Sequence, residues 1–362
     1  MNKPTHITIH FEDGMFQWTQ EGGVCWIEDT PGTNPQPVPP PVTDVVEPGP
    51  PPMGLRRVGT KLIDKATGNP RVLNGFGKYN LLSDATEGPA KAMRALHEII
   101  GSPGVRTDKI FRVFSTLPYG GQPWEEERKH FVHPEWNHGG DDWSTRCQNW
   151  IKECRDLGWY SQLCLFDEPE RVRRERTGDM PSKLNTWGGR EQVPEVAFDL
   201  WNKWYKAGVP AYSNVILEIA NEAETRWMDR REMRGINEWL KKKVANPTAT
   251  SWGGGKNYEG ADLLWLHWSP RYAASRSGLD RLIEDCVEHR DLTGNPVGLS
   301  TDGKGLDEIS SDLIVYLGEE CRKEGLHCEV MLALRNGRMP ALYRLDPWMK
   351  ERIWTFWEAA TG

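Results

Sequence analysis

From about residue 58 onward, short apolar runs alternate with longer segments whose apolar residues recur every three or four positions. The short runs are RVLNGFG (71–77), KIFRVFS (109–115), YSQLCLFD (160–167), NVILEIANE (214–222), PTATSW (247–252), DLLWLHWS (262–269), NPVGLSTDG (295–303) and HCEVMLAL (327–334). Each has the length of a buried strand, and most are rich in aliphatic, β-branched and aromatic residues. After them come PAKAMRALHEII, DWSTRCQNWIKECRDLG, EVAFDLWNKWYKAG, TRWMDRREMRGINEWLKKKV, RSGLDRLIEDCVEHR, LDEISSDLIVYLGEECRKEG and PWMKERIWTFWEAA. These keep the period of helices that bury one face. Only GGGKNYEGA, after the fifth strand, has no helical pattern. Eight β-then-α units predict an α/β chain folded as a (β/α)8 TIM barrel. An open doubly wound sheet is the other architecture such units build. It usually has a glycine-rich nucleotide turn after its first strand, and NGFGKYN does not supply one. GGGK near residue 255 lacks the spacing of a phosphate loop.

The first fifty residues follow a different pattern. ITIHF alternates, and FQWTQEGGVCWIE reads as a hairpin with a Gly-Gly turn. Residues 1–30 are thus a small β unit, too short to enclose a core of its own. It is expected to dock on the main domain, on a copy of itself or on a larger assembly. Residues 31–53 contain ten prolines. Proline fixes φ and removes a donor, so this stretch is expected to be a semi-rigid linker rather than a ligand for aromatic grooves. Residues 54–362 form the barrel domain.

Composition narrows the function. A net charge of −7 offers no basic surplus for nucleic acid. No apolar stretch approaches a membrane span, and MNKPTHITIHFEDG has no continuous apolar core of a secretory signal. The chain is expected to be cytoplasmic as synthesised. Seven cysteines without regular spacing favour free thiols over a disulfide framework. The outlier is tryptophan, with 18 residues. Trp150, Trp201, Trp204, Trp239, Trp354 and Trp357 lie in helical patterns and are expected in the core. Trp124, Trp136, Trp187, Trp227 and Trp252 fall in loops after strands, and Trp268 ends the sixth strand. In a barrel those loops form the functional face, and flat apolar rings there suit stacking on sugars.

The fourth strand bears the strongest chemical signal. NVILEIANEAE is an apolar run that ends in Asn221 and Glu222. Alternation sets Glu218 and Glu222 on one face. A carboxylate at the C-terminal end of a buried strand is where barrel enzymes keep their chemistry. Glu218, further down, points into the barrel and needs a partner, with Arg112 as the candidate.

These pieces resemble the cellulase-like glycoside hydrolases of clan A, near family five. LIDKATGNPRVLNGFGKYN resembles the entry to their first strand, IFRVF their second strand with its arginine, LEIANEAE their fourth with its Asn-Glu pair, and ADLLWLHWS their sixth. The resemblance spans roughly residues 58–362 as order and spacing, and only the Asn-Glu motif is moderately specific. It implies that Glu222 is the general acid/base and that Asn221 binds the sugar 2-hydroxyl. It implies further that Arg112 keeps the nucleophile ionised and that His267 lines the cleaving subsite. Glycoside hydrolysis needs one protonated carboxyl and one carboxylate across the scissile bond. A nearby arginine lowers the pKa of one, while burial or a like charge raises that of the other.

The family ends strand seven with a glutamate; here the nearest acid is Asp302. Asp302 is read as the nucleophile or the base for water, with Glu222 as its partner. Asp167, closing strand three, is read as a bystander or helper at the site, and Glu329 as lying near the wrong end of strand eight. HFVHPEWNHGGDD gathers His130, His133, His138, Asp141 and Asp142 without strict ligand spacing, so no metal or other cofactor is assigned. Cys321 and Cys328 are read as small buried residues, and RVRRER (171–176) as a solvated charge run. The expected function is cleavage of a poly- or oligosaccharide. The alternative is a carbohydrate-binding barrel without turnover. A docking unit and a stiff spacer suit mounting on a larger particle, such as a phage virion acting on an envelope glycan; they also suit a modular cytoplasmic enzyme.

Overall fold

A computed structural model describes residues 6–11, 14–19, 23–27, 53–78, 81–83, 88–101, 107–114, 143–166, 208–221, 234, 237–238, 240–242, 244–252, 260–269, 271–301, 304–332 and 345–362. Three strands come first: β1 (His6–Phe11), β2 (Gly14–Thr19) and β3 (Gly23–Ile27). They pair antiparallel in sequence order, with Thr19 opposite Gly23, so the expected hairpin sits in a three-stranded sheet. The Pro-rich stretch lies outside the described residues.

Eight parallel strands follow: β6 (Pro70–Lys78), β7 (Thr107–Phe114), β8 (Trp159–Phe166), β9 (Val215–Ala220), β10 (Thr248–Trp252), β11 (Leu263–His267), β12 (Val297–Ser300) and β13 (His327–Met331). Each pairs with the next, and β13 pairs with β6, closing the barrel. All eight begin within a few residues of the sequence expectation. Because the strands are parallel, their C-terminal ends share one rim.

Helices cover the outside at 3.6-residue spacing. α1 (Gly88–Ile100) buries Ala92, Met93, Leu96 and Ile100, and α2 (Trp143–Asp156) buries Cys147, Trp150, Ile151 and Cys154. α3 (Arg276–Thr293) starts where Ser275 accepts a bond from the Gly278 N–H. α4 (Ser311–Glu324) ends at Gly325, whose φ of 65° is left-handed and suits glycine. α5 (Pro347–Thr361) is capped by Asp346, which accepts from the Met349 N–H, with proline in its first turn. Gly318 lets α4 and α5 touch, since a Cβ there would stand 2.8 Å from the Ala360 nitrogen. Trp354 departs from expectation. It is 44% exposed, because α5 turns Ile353, Phe356, Trp357 and Ala360 inward and leaves Trp354 on the opposite face. Trp150 and Trp357 are buried as expected, while Trp201, Trp204 and the Trp239 side chain lie outside the description.

A hairpin the sequence reading did not separate, β4 (Leu55–Val58) and β5 (Lys61–Asp64), pairs antiparallel onto the start of β6. Leu55 and Leu62 pack with Leu73, Ile110, Tyr160, Ile216, Ala249, Leu263 and Trp265, so the hairpin plugs the barrel's N-terminal end. Strands of four residues with Arg56, Arg57 and Lys61 on them give little apolar pattern to read.

Candidate active site

Above that apolar plug, the barrel interior is charged. Alternation turns Arg112 of β7, Gln162 of β8, Glu218 of β9, Ser251 of β10 and Glu329 of β13 inward, and all are fully buried. The guanidinium of Arg112 grips Glu218 with two bonds, Nε to Oε2 at 2.7 Å and Nη2 to Oε1 at 2.5 Å. Gln162 Nε2 donates to Glu218 Oε2 at 2.7 Å, and its own Oε1 accepts from the Trp265 indole N–H at 2.9 Å. The Ser251 hydroxyl lies 2.7 Å from Glu218 Oε1 and accepts from Arg112 Nη2 at 3.1 Å. Burial opposes the charge on Glu218. The positive charge of Arg112 and the bonds from Arg112, Gln162 and Ser251 overcome it, and the carboxyl sits below its ordinary value. Glu218 is therefore the ionised partner of a bidentate pair, as the sequence suggested.

This pair reaches the rim through Asn221. The residue follows directly on β9, is 3% exposed, and accepts from Arg112 Nη2 at 2.8 Å through Oδ1. Ser251 Oγ stands 3.0 Å from the same oxygen. With Oδ1 so engaged, the Asn221 side chain is held by residues of two strands, β7 and β10.

Arg112 itself does not open to the cleft. It is 0% exposed, and the Phe114 ring lies over it with Cζ 4.7 Å from the centroid. Phe114, Cys164 and Met331 form an apolar layer of their own. Arg112 was also expected among the substrate-binding residues; the described structure buries it under this layer and links it to the rim by its bond to Asn221. Trp268 is corrected too. Rather than presenting a stacking face, it is fully buried in the outer core, its indole N–H donating to the Tyr272 carbonyl at 3.3 Å, and Lys304 Nζ sits 5.6 Å from its ring. It falls just past the strand end, where side chains that turn outward meet the helices.

His267 closes β11 at 1% exposure and pairs in register with Ser300 of β12. Glu329 is not at the wrong end of its strand. It is the third of five residues in β13, level with Gly75 of β6 and Ser300 of β12. Its carboxylate climbs to Gly77, which is level with Arg112. Barrel stagger raises the side chain relative to its neighbours, which position within one strand does not reveal. Glycine makes the room: a Cβ on Gly77 would stand 2.0 Å from Glu329 Oε1. Gly298 does the same for Trp265, whose ring would be 2.4 Å from an added Cβ.

Glu222, Asp302, Asp167, Trp227 and the histidine-rich loop lie outside the described residues, as does the side chain of Trp252 at the end of β10. Of the expected site, the structure brings together Arg112, Asn221 and the buried Glu218, and it sets His267 inside the barrel near Glu329. β9 and β12, which lead to Glu222 and Asp302, end on the same rim. Sequence reasoning passed over Gln162, Ser251 and Trp265. The alternation Tyr160, Gln162, Cys164 marks an inward polar residue and was the signal available.

Among solved structures, an endo-β-1,4-mannanase from Thermotoga petrophila superposes with a TM-score of 0.55 at 13% identity, covering 81% of this chain and 78% of its own. A family 5 mannosidase from Rhizomucor miehei gives 0.59 at 10% identity, over 85% and 98%. This chain has the fold of family 5 glycoside hydrolases. An endo-1,4-β-mannanase from Rhizomucor miehei, also built on that fold, matches at 0.54 and 13% identity over 77% and 90%. No protein-family model matches the sequence, and no curated protein does. The family 5 likeness therefore lies in the backbone, where the Arg112–Glu218–Asn221 network sits inside the shared barrel.

Proposed function

We propose that the protein is a glycoside hydrolase acting on a poly- or oligosaccharide, with Glu222 as general acid/base and Asp302 as nucleophile or base. The observation that supports it most is Asn221. It stands at the C-terminal end of a barrel strand, immediately before Glu222, and is held there by Arg112 and Ser251. A side chain so fixed is suited to orient a sugar hydroxyl beside the acid. The mannanases among the structural neighbours favour a β-1,4-linked mannan as first substrate.

In this reading Glu222 donates its proton to the glycosidic oxygen as the C1–O bond breaks. Asp302 then either attacks C1, giving a glycosyl ester that water hydrolyses, or removes the proton from a water attacking C1. The first requires carboxyls about 5–5.5 Å apart and gives retention, while the second requires about 6.5–9.5 Å and gives inversion. Purified Glu222→Gln, assayed on mannan and glucan panels with circular dichroism as folding control, is expected to lose at least about a hundredfold in turnover. Full activity in a folded variant would overturn the assignment. A second reading is a glycan-binding barrel without turnover, favoured by the aspartate where the family has a glutamate after strand seven. It predicts saturable glycan binding with no product from the unmodified chain. The N-terminal sheet and Pro-rich stretch are proposed as a mount on a larger assembly. Removing residues 1–53 should then spare hydrolysis and abolish assembly.

A further inference from the structure

Among the described residues, the barrel interior holds two fully buried acids, Glu218 and Glu329, and one fully buried arginine, and the two acids are treated very differently. Glu218 has bonds from Arg112, Gln162 and Ser251. Neither oxygen of Glu329 has a partner at full hydrogen-bond geometry among the described residues, and the Ser300 hydroxyl is the donor close enough to favour its charge. Arg112 shows the same division. Its Nε and Nη2 edge is committed to Glu218, Asn221 and Ser251, while Nη1 makes no hydrogen bond among the described residues and faces Glu329 Oε2 across a loose ion pair of 3.6 Å. A buried carboxylate with no bond is very costly, whereas a neutral carboxyl tolerates the position far better. One cation with one bonded carboxylate already balances, so the second acid is the one whose charge the buried site disfavours.

We infer that Glu329 is a positioning residue for Arg112: neutral, it leaves the guanidinium gripping Asn221, and ionised, it draws the guanidinium toward β13 and away from Asn221. The movement required is small, since 3.6 Å need only shorten to a charge-assisted bond of about 2.8 Å. Asn221 is held on the opposite edge of the same planar group, so what Glu329 gains Asn221 loses. The groups facing Glu329 are Arg112 from β7, Glu218 from β9, His267 from β11 and Ser300 from β12, with His327 and Cys328 on its own strand. Burial raises the Glu329 carboxyl above its ordinary value and the Glu218 charge adds to that, against opposing contributions from Arg112, Ser300 and His267. The sign follows from linkage. A carboxyl that holds its proton more tightly when folded stabilises the fold below the ordinary glutamate pKa, and the contribution is lost as pH rises through the folded value.

The kinetic consequence rests on the hydrolase reading; the stability consequence does not. Glu329→Gln and Glu329→Asp should be compared with the unmodified full-length chain by thermal unfolding from acid to alkaline pH. They should also be compared by kcat/KM on whichever glycan is turned over. Relative to Glu329→Gln, the unmodified chain should lose melting temperature as pH rises above about 4.5, beyond any trend the two share. Glu329→Asp, which keeps an ionisable group, should retain the dependence, and it serves as the ionisable comparison if the glutamine variant folds poorly. In kinetics, Glu329→Gln should move the alkaline limb of kcat/KM upward by about one pH unit or more while acid-side values stay near those of the unmodified chain. An unchanged pH dependence of stability in Glu329→Gln, or its disappearance in Glu329→Asp, would overturn the proposal. Failure of turnover alone would count against the hydrolase reading and leave the stability result to decide this one.

Discussion

Replacing Glu218 by glutamine is the sharpest test of how the barrel interior is held. The substitution keeps volume and removes the charge. In the native arrangement Glu218 accepts from Arg112 Nε at 2.7 Å, Arg112 Nη2 at 2.5 Å and Gln162 Nε2 at 2.7 Å, with Ser251 Oγ a further 2.7 Å neighbour. A glutamine offers one oxygen and two N–H donors, so at least one donor is set against another. Arg112 would then sit at zero exposure with Glu329, 3.6 Å away, the one acid left beside it among the described residues. Removing one partner of a buried pair costs about 3–5 kcal/mol. Ionisation of Glu329 offsets part of this, which sets the expectation near the lower end, about 3 kcal/mol. At about 2 °C per kcal/mol for a barrel of this size, the melting temperature should fall by about 6 °C. The assay is thermal unfolding followed by circular dichroism, with urea titration as a check. The paired replacement Arg112→Met with Glu218→Leu should be less damaging than Glu218→Gln, because no charge is left stranded. A Glu218→Gln variant within about 1 kcal/mol of the unmodified chain would refute the argument, as would a paired variant worse than the sum of its singles.

Two further outcomes follow from the same interior. Gly298→Ala places a Cβ 2.4 Å from the Trp265 ring, which is pinned through its indole bond to Gln162, and should cost about 1–3 kcal/mol by urea unfolding, with Trp265→Leu restoring part of the loss. His327 accepts the Leu73 N–H through Nδ1, and burial holds its imidazole down at about 4. Its folded value is depressed, so its contribution is fully present above about pH 6.5 and is lost as pH falls through about 4, amounting to roughly 3 kcal/mol. His327→Asn should therefore show a shallower loss of stability between those pH values, and an equally steep loss would exclude the histidine as the cause.

The rhythm of apolar runs made the barrel legible before any coordinates, since a strand buried on both faces and a helix buried on one leave different periods. Arg112 and Glu218 were legible as partners because both sit at inward positions of the barrel, on strands one apart, and neither can be buried alone. The β4–β5 hairpin was not, because strands of four residues with cations on them leave no period to count. Trp268 misled for a different reason: one residue past a strand end, alternation no longer says which way a side chain turns.

The chain alone determined the order of elements, the closure into eight parallel strands and the rim on which Asn221 stands, because these depend on local periodicity and on the handedness of β-α-β connection. Only the tertiary structure decided that Asn221 and Ser251 share the guanidinium with Glu218, that the Phe114 ring lies over it, and that Glu329 rises toward its Nη1. Those relations depend on the stagger between strands far apart in sequence, and on glycines at 77 and 298 whose missing side chains become meaningful only when the opposite wall is in place.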